Sequence, residues 1–492
     1  MEHQVISVDQ STQSTKALLF SEDGRLLQMA SVQHDQIYPK EGWVEHDPEI
    51  LYANTVKVIN EVVKAGKGTD VEYSLALTNQ RETVVVWNKK TGKPVSNAVV
   101  WQCMRGKDIC DSLKAKGCDA LVQERSGLLI DPYFSASGAK WILDNVEGAR
   151  KAAEDGDLLM GTVECWLIWK LTGGKVHATD YTNASRTLLF NIHTLDWDDD
   201  LLDLFTIPRS MMADPRPCDA FYGETTVEGL FEKPIPIAGV LGDSHGALAG
   251  QMCFGEGLGK ATYGTGSSVM VNIGENCATP PAGLVTSVGF AALGKVFYAF
   301  EGNIHCTGAT ITWLKDKLHL IGSAGEIEGF ATAVPDNGGV YFVPAFAGLG
   351  APWWHPEVKA QICGLSLGSS KEHVCRAALE SIGYQVADLV KAMTGSAGID
   401  LKEIRVDGGP TKNKFLMQFQ SDLLQVPVVR SEVEDASAFG AFVMNGFARG
   451  KWTSFDQAKS VWNGEAPVLP APYANVEKAY DGWKAAVNQL IK

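Results

Sequence analysis

Short apolar runs bounded by turn-forming residues alternate with stretches of helical periodicity along the whole chain, a pattern that predicts an α/β architecture. VISV at 5–8 and TKALLF at 15–20 read as strands, and DQSTQS at 9–14 between them reads as a hairpin tip rich in hydroxyls. Asp-Gly at 23–24 suits a tight turn into a third strand. About 255 residues later the arrangement returns: GKATY at 259–263 and VMVNI at 269–273 flank GTGSS. The two halves share little residue identity, so the expectation is a structural repeat only. The boundary is expected in the glycine cluster at 250–257, giving domains 1–251 and 252–492, and the closing NVEKAYDGWKAAVNQLI is expected to be a helix packed on the second.

The length of 492 residues exceeds what one core usually supports, which agrees with two domains. Lysine and arginine number 43 against 58 aspartates and glutamates, a net charge of −15. Such a surface repels phosphate backbones and anionic lipid, so neither nucleic acid nor a membrane is an expected partner. No run of some 18 apolar residues suggests a membrane span, and the opening MEHQVISVDQST has no signal-peptide pattern. Ten cysteines, scattered from Cys103 to Cys375 without a C-x-x-C pair, read as reduced thiols in a cytoplasmic protein.

Three segments invite a nucleotide. Asp9-Gln10-Ser11-Thr12 can turn N–H groups and hydroxyls toward phosphate, with the carboxylate facing a magnesium ion. Tyr263-Gly264-Thr265-Gly266-Ser267 permits close backbone approach, and Arg405-Val406-Asp407-Gly408-Gly409 ends a strand before a helical NKFLMQFQSDLL. Each alone is better read as a plain turn; their order together points to a nucleotide, although no P-loop is present. Asp243 follows an apolar strand and opens a helical stretch, so it reads either as a helix cap or as the general base of phosphoryl transfer. Gly242-Asp243-Ser244-His245-Gly246 also fits G-x-S-x-G, which keeps open a serine hydrolase with Ser244 as nucleophile and His305 or His373 as base. Arg81 and Glu82, at a strand end, can bind vicinal hydroxyls or form a surface ion pair; Trp101 and Tyr133 can wall a carbon chain or belong to the core.

QIYPKEGWVEHDP, TNQRET, VVWQC, GLLIDPYFS, TDYTNASRTLLFNIHTLDWD, YGTG, VPAFAGLGAPWW and RVDGGPTKNKFLMQFQSD resemble segments of the FGGY family of carbohydrate kinases, most closely its glycerol-phosphorylating branch. That resemblance covers nearly the whole chain. It implies two actin-like (ribonuclease H-like) ATPase domains, α/β in class, closing a cleft over ATP, Mg²⁺ and a small polyol or sugar. It implies Asp243 as base and Arg81, Glu82, Trp101, Tyr133, Asp243, Ser244 and Ser268 around the acceptor. Thr12, Gln13, Ser14, Lys16, Thr265, Gly266, Gly308, Thr312, Gly408, Gly409 and Asn413 match nucleotide contacts, and Asp9 and Asp243 the metal-facing carboxylates. Relatives form dimers and tetramers, so a homo-oligomer is implied. Departures from the family pattern are Ser11 for glycine, Lys16 for arginine, Gly138 for lysine, Ser244 for glutamine and Ser268 for phenylalanine. The last two adjoin the acceptor. Glycerol phosphorylation is therefore the first expectation, and a longer polyol or ketose such as erythritol or xylulose the alternative.

Overall fold

The computed structural model describes residues 2–65, 71–433, 435–472 and 476–492. The two apolar hairpins form as the pattern predicts and seed two six-stranded mixed sheets. In the first, strand Glu2–Gln10 pairs antiparallel with Ser14–Ser21, and Leu26–Gln33 follows beside it. On its other side Glu2–Gln10 pairs parallel with Val71–Asn79, which pairs parallel with Ile235–Gly242. The second sheet repeats this plan. Leu258–Tyr263 pairs antiparallel with Ser267–Gly274, beyond which lie Lys295–Ile304 and Val285–Ala292. Its other neighbours, Glu403–Asp407 and Val428–Arg430, run parallel. The structural repeat expected from the two hairpins is thus present in the order and direction of five strands; the sixth differs, Phe221–Thr225 lying beyond Ile235–Gly242 in the first sheet and Val285–Ala292 beyond Lys295–Ile304 in the second.

Both faces of the first sheet are covered, which explains why its strands read as continuous apolar runs without alternation. Ile6, Val8, Leu75 and Leu77 pack with Val58, Ile59 and Val62 of helix Pro48–Ala65. Val5, Leu18, Phe20 and Ala76 share the opposite layer with Ala438, Phe442 and Val443 of helix Ala436–Ala448. That second helix comes from the far half of the chain, so a cut at residue 251 does not separate all the contacts of the first sheet. Helix Lys371–Ala397 supports the second sheet, and the closing segment forms helix Val476–Leu490, whose Trp483 packs with Tyr384 and Phe419.

Register brings the chemistry to one edge. Asp9 and Gln10 stand beside Thr78 and Asn79, which stand beside Leu241 and Gly242. The ends of three parallel strands therefore deliver Asp9, Arg81 and Asp243 to one carboxyl edge, where open α/β sheets bind ligands. Among the described residues no helix is long and apolar enough to cross a membrane.

Candidate active site

Asp243 is the first residue of helix Asp243–Gly250, and its side chain is 36% exposed. Arg81 holds it, with Nε 3.1 Å from Oδ1. The same guanidinium donates two bonds to Glu301, of 2.8 and 2.7 Å. Arg186 completes the cluster, donating from Nε to Glu82 at 2.5 Å and pairing with Glu301 at 2.9 Å. Both arginines and both glutamates are buried. Burial opposes the charge on Glu301, but the Arg186 and Arg81 cations outweigh it and hold its carboxyl well below the usual range. At Glu82 burial prevails and its carboxyl lies above that range.

The turn that carries Arg81 and Glu82 is sharp. Thr83 N–H donates to the Arg81 carbonyl at 2.7 Å, and Glu82 adopts φ 63°, left-handed backbone in a three-residue turn. Ser135 Oγ fixes it by donating to the Glu82 carbonyl at 2.7 Å. Such a conformation costs about 1–3 kcal/mol and persists where surrounding structure enforces it, commonly at functional sites. Trp101 and Tyr133 meet edge to face, ring centroids 5.4 Å apart, so they form one wall. Trp101 Nε1 also donates to Thr12 Oγ1 at 3.0 Å, tying that wall to the first hairpin tip.

The peptide at Asp243 is pinned from both sides. Gly242 N–H donates to Thr182 Oγ1 at 2.9 Å, and Ser437 Oγ donates to the Asp243 carbonyl at 2.8 Å. Ser437 lies in the first turn of helix Ala436–Ala448, which crosses helix Asp243–Gly250 backbone to backbone: a Cβ on Gly440 would lie 2.0 Å from the Gly246 carbonyl oxygen. The residue before that helix, Asp435, caps it through Ala438 N–H and accepts Lys16 Nζ at 2.8 Å. Lys16 faces Asp9 across the hairpin at 3.9 Å. Burial, then Asp435 and Asp243, push the Asp9 carboxyl well up, and its buried Oδ1 has no hydrogen-bond partner.

The second hairpin tip meets two other chain segments. Gly308 N–H donates to the Gly264 carbonyl and Thr307 N–H to that of Thr265, both at 3.0 Å, at the start of helix Gly308–Asp316. Gly408, at φ 97°, brings its backbone against the Tyr263 carbonyl, 2.0 Å from where a Cβ would stand. Thr265, Gly266, Gly308, Gly408 and Gly409 therefore converge, and Thr312 follows one helical turn after Gly308. Asn413 caps helix Lys414–Leu424 by accepting Leu416 N–H at 2.9 Å; a short 3₁₀ turn, Gly409–Lys412, separates that helix from the glycines.

Ser244 and Ser268 are each half-buried. Neither histidine expected as its base serves Ser244: His373 caps helix Lys371–Ala397 through Ser370, and His305 lies against Gly350. The hydrolase geometry is absent among the described residues, and Asp243, not Ser244, is the residue engaged by its neighbours. The sequence reading singled out neither Glu301 nor Arg186. A lone glutamate inside the apolar strand VFYAFEGNI was the available signal for the first. Among the described residues no group of three or more metal-ligating side chains is assembled.

A model of the FGGY family of carbohydrate kinases, N-terminal domain, matches residues 4–250, and one of its C-terminal domain matches residues 259–449. The chain is 48% identical over 489 residues to a glycerol kinase of Bacillus cereus (strain Q1), and to one of Bacillus anthracis, covering 99% of each chain. Among solved structures it resembles Plasmodium falciparum glycerol kinase with ADP, at TM-score 0.95 and 34% identity over 100% of this chain and 99% of that one. Lactobacillus acidophilus gluconate kinase shares the fold at TM-score 0.90 and 18% identity, over 100% and 99% of the two chains.

Proposed function

The chain belongs to the FGGY family of carbohydrate kinases, and from that premise we propose that it transfers the terminal phosphoryl group of ATP to a primary hydroxyl of glycerol. The observation that carries this reading is the solvent-facing carboxylate of Asp243, held by Arg81 at the edge where the first sheet's strands end.

In this reading Trp101 and Tyr133 flank the carbon chain while Arg81 and Glu82 bind its hydroxyls. Asp243 accepts the proton of the attacking hydroxyl as oxygen bonds to the γ-phosphorus and the bond to the bridging oxygen of ADP breaks. Lys16, Thr12, Gln13 and Ser14 of the first hairpin face the phosphates. Thr265, Gly266, Gly308, Thr312, Gly408, Gly409 and Asn413 cradle the nucleotide from the second half. Asp9 and Asp243 would hold Mg²⁺, a fit supported by the partnerless buried Oδ1 of Asp9 and by the mutual repulsion of Asp9, Asp435 and Asp243. When bound, that ion neutralises charge on the phosphate oxygens.

Purified protein in a coupled ADP-release assay should turn over glycerol, with the phosphoryl group on a terminal carbon by ³¹P NMR. Asp243→Asn should lower kcat by ~10²–10⁴. Absence of ADP release with glycerol and with every other polyol or ketose tried would overturn the reading, as would an Asp243→Asn enzyme of normal kcat.

A further inference from the structure

A buried path of hydrogen bonds joins the Trp101 wall to the first hairpin tip, and the chemistry above leaves its inner members unused. These are Gln10, Gln80 and Thr83; Gln10 and Thr83 are fully buried and Gln80 is 1% exposed. The Ser11 carbonyl can only accept, so it fixes both amides: Gln10 Nε2 donates to it at 2.8 Å and Gln80 Nε2 at 3.3 Å. Gln80 Nε2 also donates to Gln10 Oε1 at 3.0 Å. That leaves Gln80 Oε1 toward Thr83, whose hydroxyl spends its one proton there, at 2.9 Å. Thr83 Oγ1 accepts in turn, from the main-chain N–H of Trp101 at 3.3 Å. The indole N–H of Trp101 is a donor only, so Thr12 Oγ1, 3.0 Å away, must accept from it.

Every direction along this path is forced, and the path returns to the Ser11–Thr12 peptide where it began. One proton is left over. Thr12 Oγ1 accepts from Trp101, no protein acceptor takes its own proton among the described residues, and Thr12 is half-buried. Thr83 is the junction of the path. Its N–H closes the turn that carries Arg81 and Glu82, and its hydroxyl holds the backbone of Trp101.

We infer that Thr83 and Gln80 are positioning residues for phosphoryl transfer, setting through Trp101 both the aromatic wall at the acceptor and the unspent O–H of Thr12 at the phosphates. This rests on the kinase reading, in which neither residue touches a substrate. A buried network with every donor and acceptor matched is rigid and holds its end groups in one orientation. A hydroxyl already oriented for an anion gives up less freedom on binding than one that turns freely.

The test is KM for ATP at saturating glycerol, and KM for glycerol at saturating ATP, in the ADP-release assay. Thr83→Val keeps the side-chain volume and removes the hydroxyl. It should raise both KM values, that for ATP by ~5-fold or more, and Thr83→Ser should restore both. In a Thr12→Val background Thr83→Val should still raise KM for glycerol but add nothing to KM for ATP, a split that general loosening of the fold would not produce. Trp101→Phe keeps a ring in the wall but lacks the indole N–H, so it should raise KM for ATP only where Thr12 is present. If Thr83→Val does not fold, the Trp101→Phe and Thr12→Val cycle decides. The relay is overturned by an unchanged KM for ATP in a folded Thr83→Val enzyme, by failure of Thr83→Ser to restore it, or by effects on KM for ATP that add independently in either cycle. Any of these removes the relay and leaves the kinase reading standing, whereas no ADP release with any acceptor removes both.

Discussion

The hydroxyl of Ser437 donates to the main-chain carbonyl of Asp243 at 2.8 Å, joining residues 194 positions apart. One helix start thereby touches both sides of the proposed reaction, because Asp435, two residues earlier, holds Lys16 beside Asp9. The Ser437 hydroxyl is taken up by that carbonyl, and in the proposed reading it fixes the peptide that carries the base. Ser437→Ala removes one hydrogen bond, worth about 1 kcal/mol. We expect kcat to fall ~5-fold with glycerol KM little changed, and Ser437→Thr to restore kcat. A normal kcat in the alanine variant would show that the carbonyl needs no anchor.

The helix crossing behind that bond makes a second prediction. Gly440 meets the Gly246 carbonyl so closely that a methyl group cannot fit without parting the helices. Overpacking of this kind costs about 1–3 kcal/mol. Gly440→Ala should lower the urea midpoint and, by shifting helix Asp243–Gly250, lower kcat as well. Full stability together with full activity would mean that the crossing relaxes freely.

Strand identities, the two hairpins and the α/β class were legible chiefly because the first sheet is covered on both faces, which writes uninterrupted apolar runs into the sequence. Asp243 was legible because it ends such a run and opens a helix. Arg81 and Glu82 were legible as a pair, but an ion pair at the surface was one of the readings, and they are buried. Their true partners, Glu301 and Arg186, lie 220 and 104 residues away respectively. No local periodicity encodes such a meeting; it follows from how the two sheets face each other. The docking of helix Ala436–Ala448 on the first sheet escaped for the same reason. Its glycines signal close approach without saying to what.

The four-membered cluster of Arg81, Arg186, Glu82 and Glu301 balances two positive charges against two negative ones in a buried site. Glu301→Gln keeps the volume but leaves the two guanidiniums with Glu82 and the more exposed Asp243. Removing one partner of a buried pair typically costs about 3–5 kcal/mol. The variant should melt well below the wild type, and glycerol KM should rise because Arg81 is no longer gripped. An unchanged Tm would mean that water already compensates this cluster.

Acid should destabilise the fold through histidines that it keeps neutral. Burial pulls His177 down from 6.5 to about 4, against the opposing effect of its ring N–H bond to the Met160 carbonyl. His3 and His46 are drawn to about 4 as well, burial again being the first cause. In the unfolded chain each takes up a proton near pH 6.5, whereas in the folded protein it does so only near 4. Between these values the unfolded state binds more protons, so this stability is complete above pH 6.5 and is lost as pH falls toward 4. One such proton changes stability by up to ~1.4 kcal/mol per pH unit. His177→Gln keeps a donor for the Met160 carbonyl but cannot titrate. Carboxylates also titrate in this range, but they are common to both proteins, so the difference between them isolates His177. Urea unfolding at pH 7.5, 5.5 and 4.5 should therefore show the wild type losing more stability on acidification than the variant, the gap between them narrowing toward pH 4.5. A gap that stays constant across the range would mean that His177 binds its proton equally well in both states.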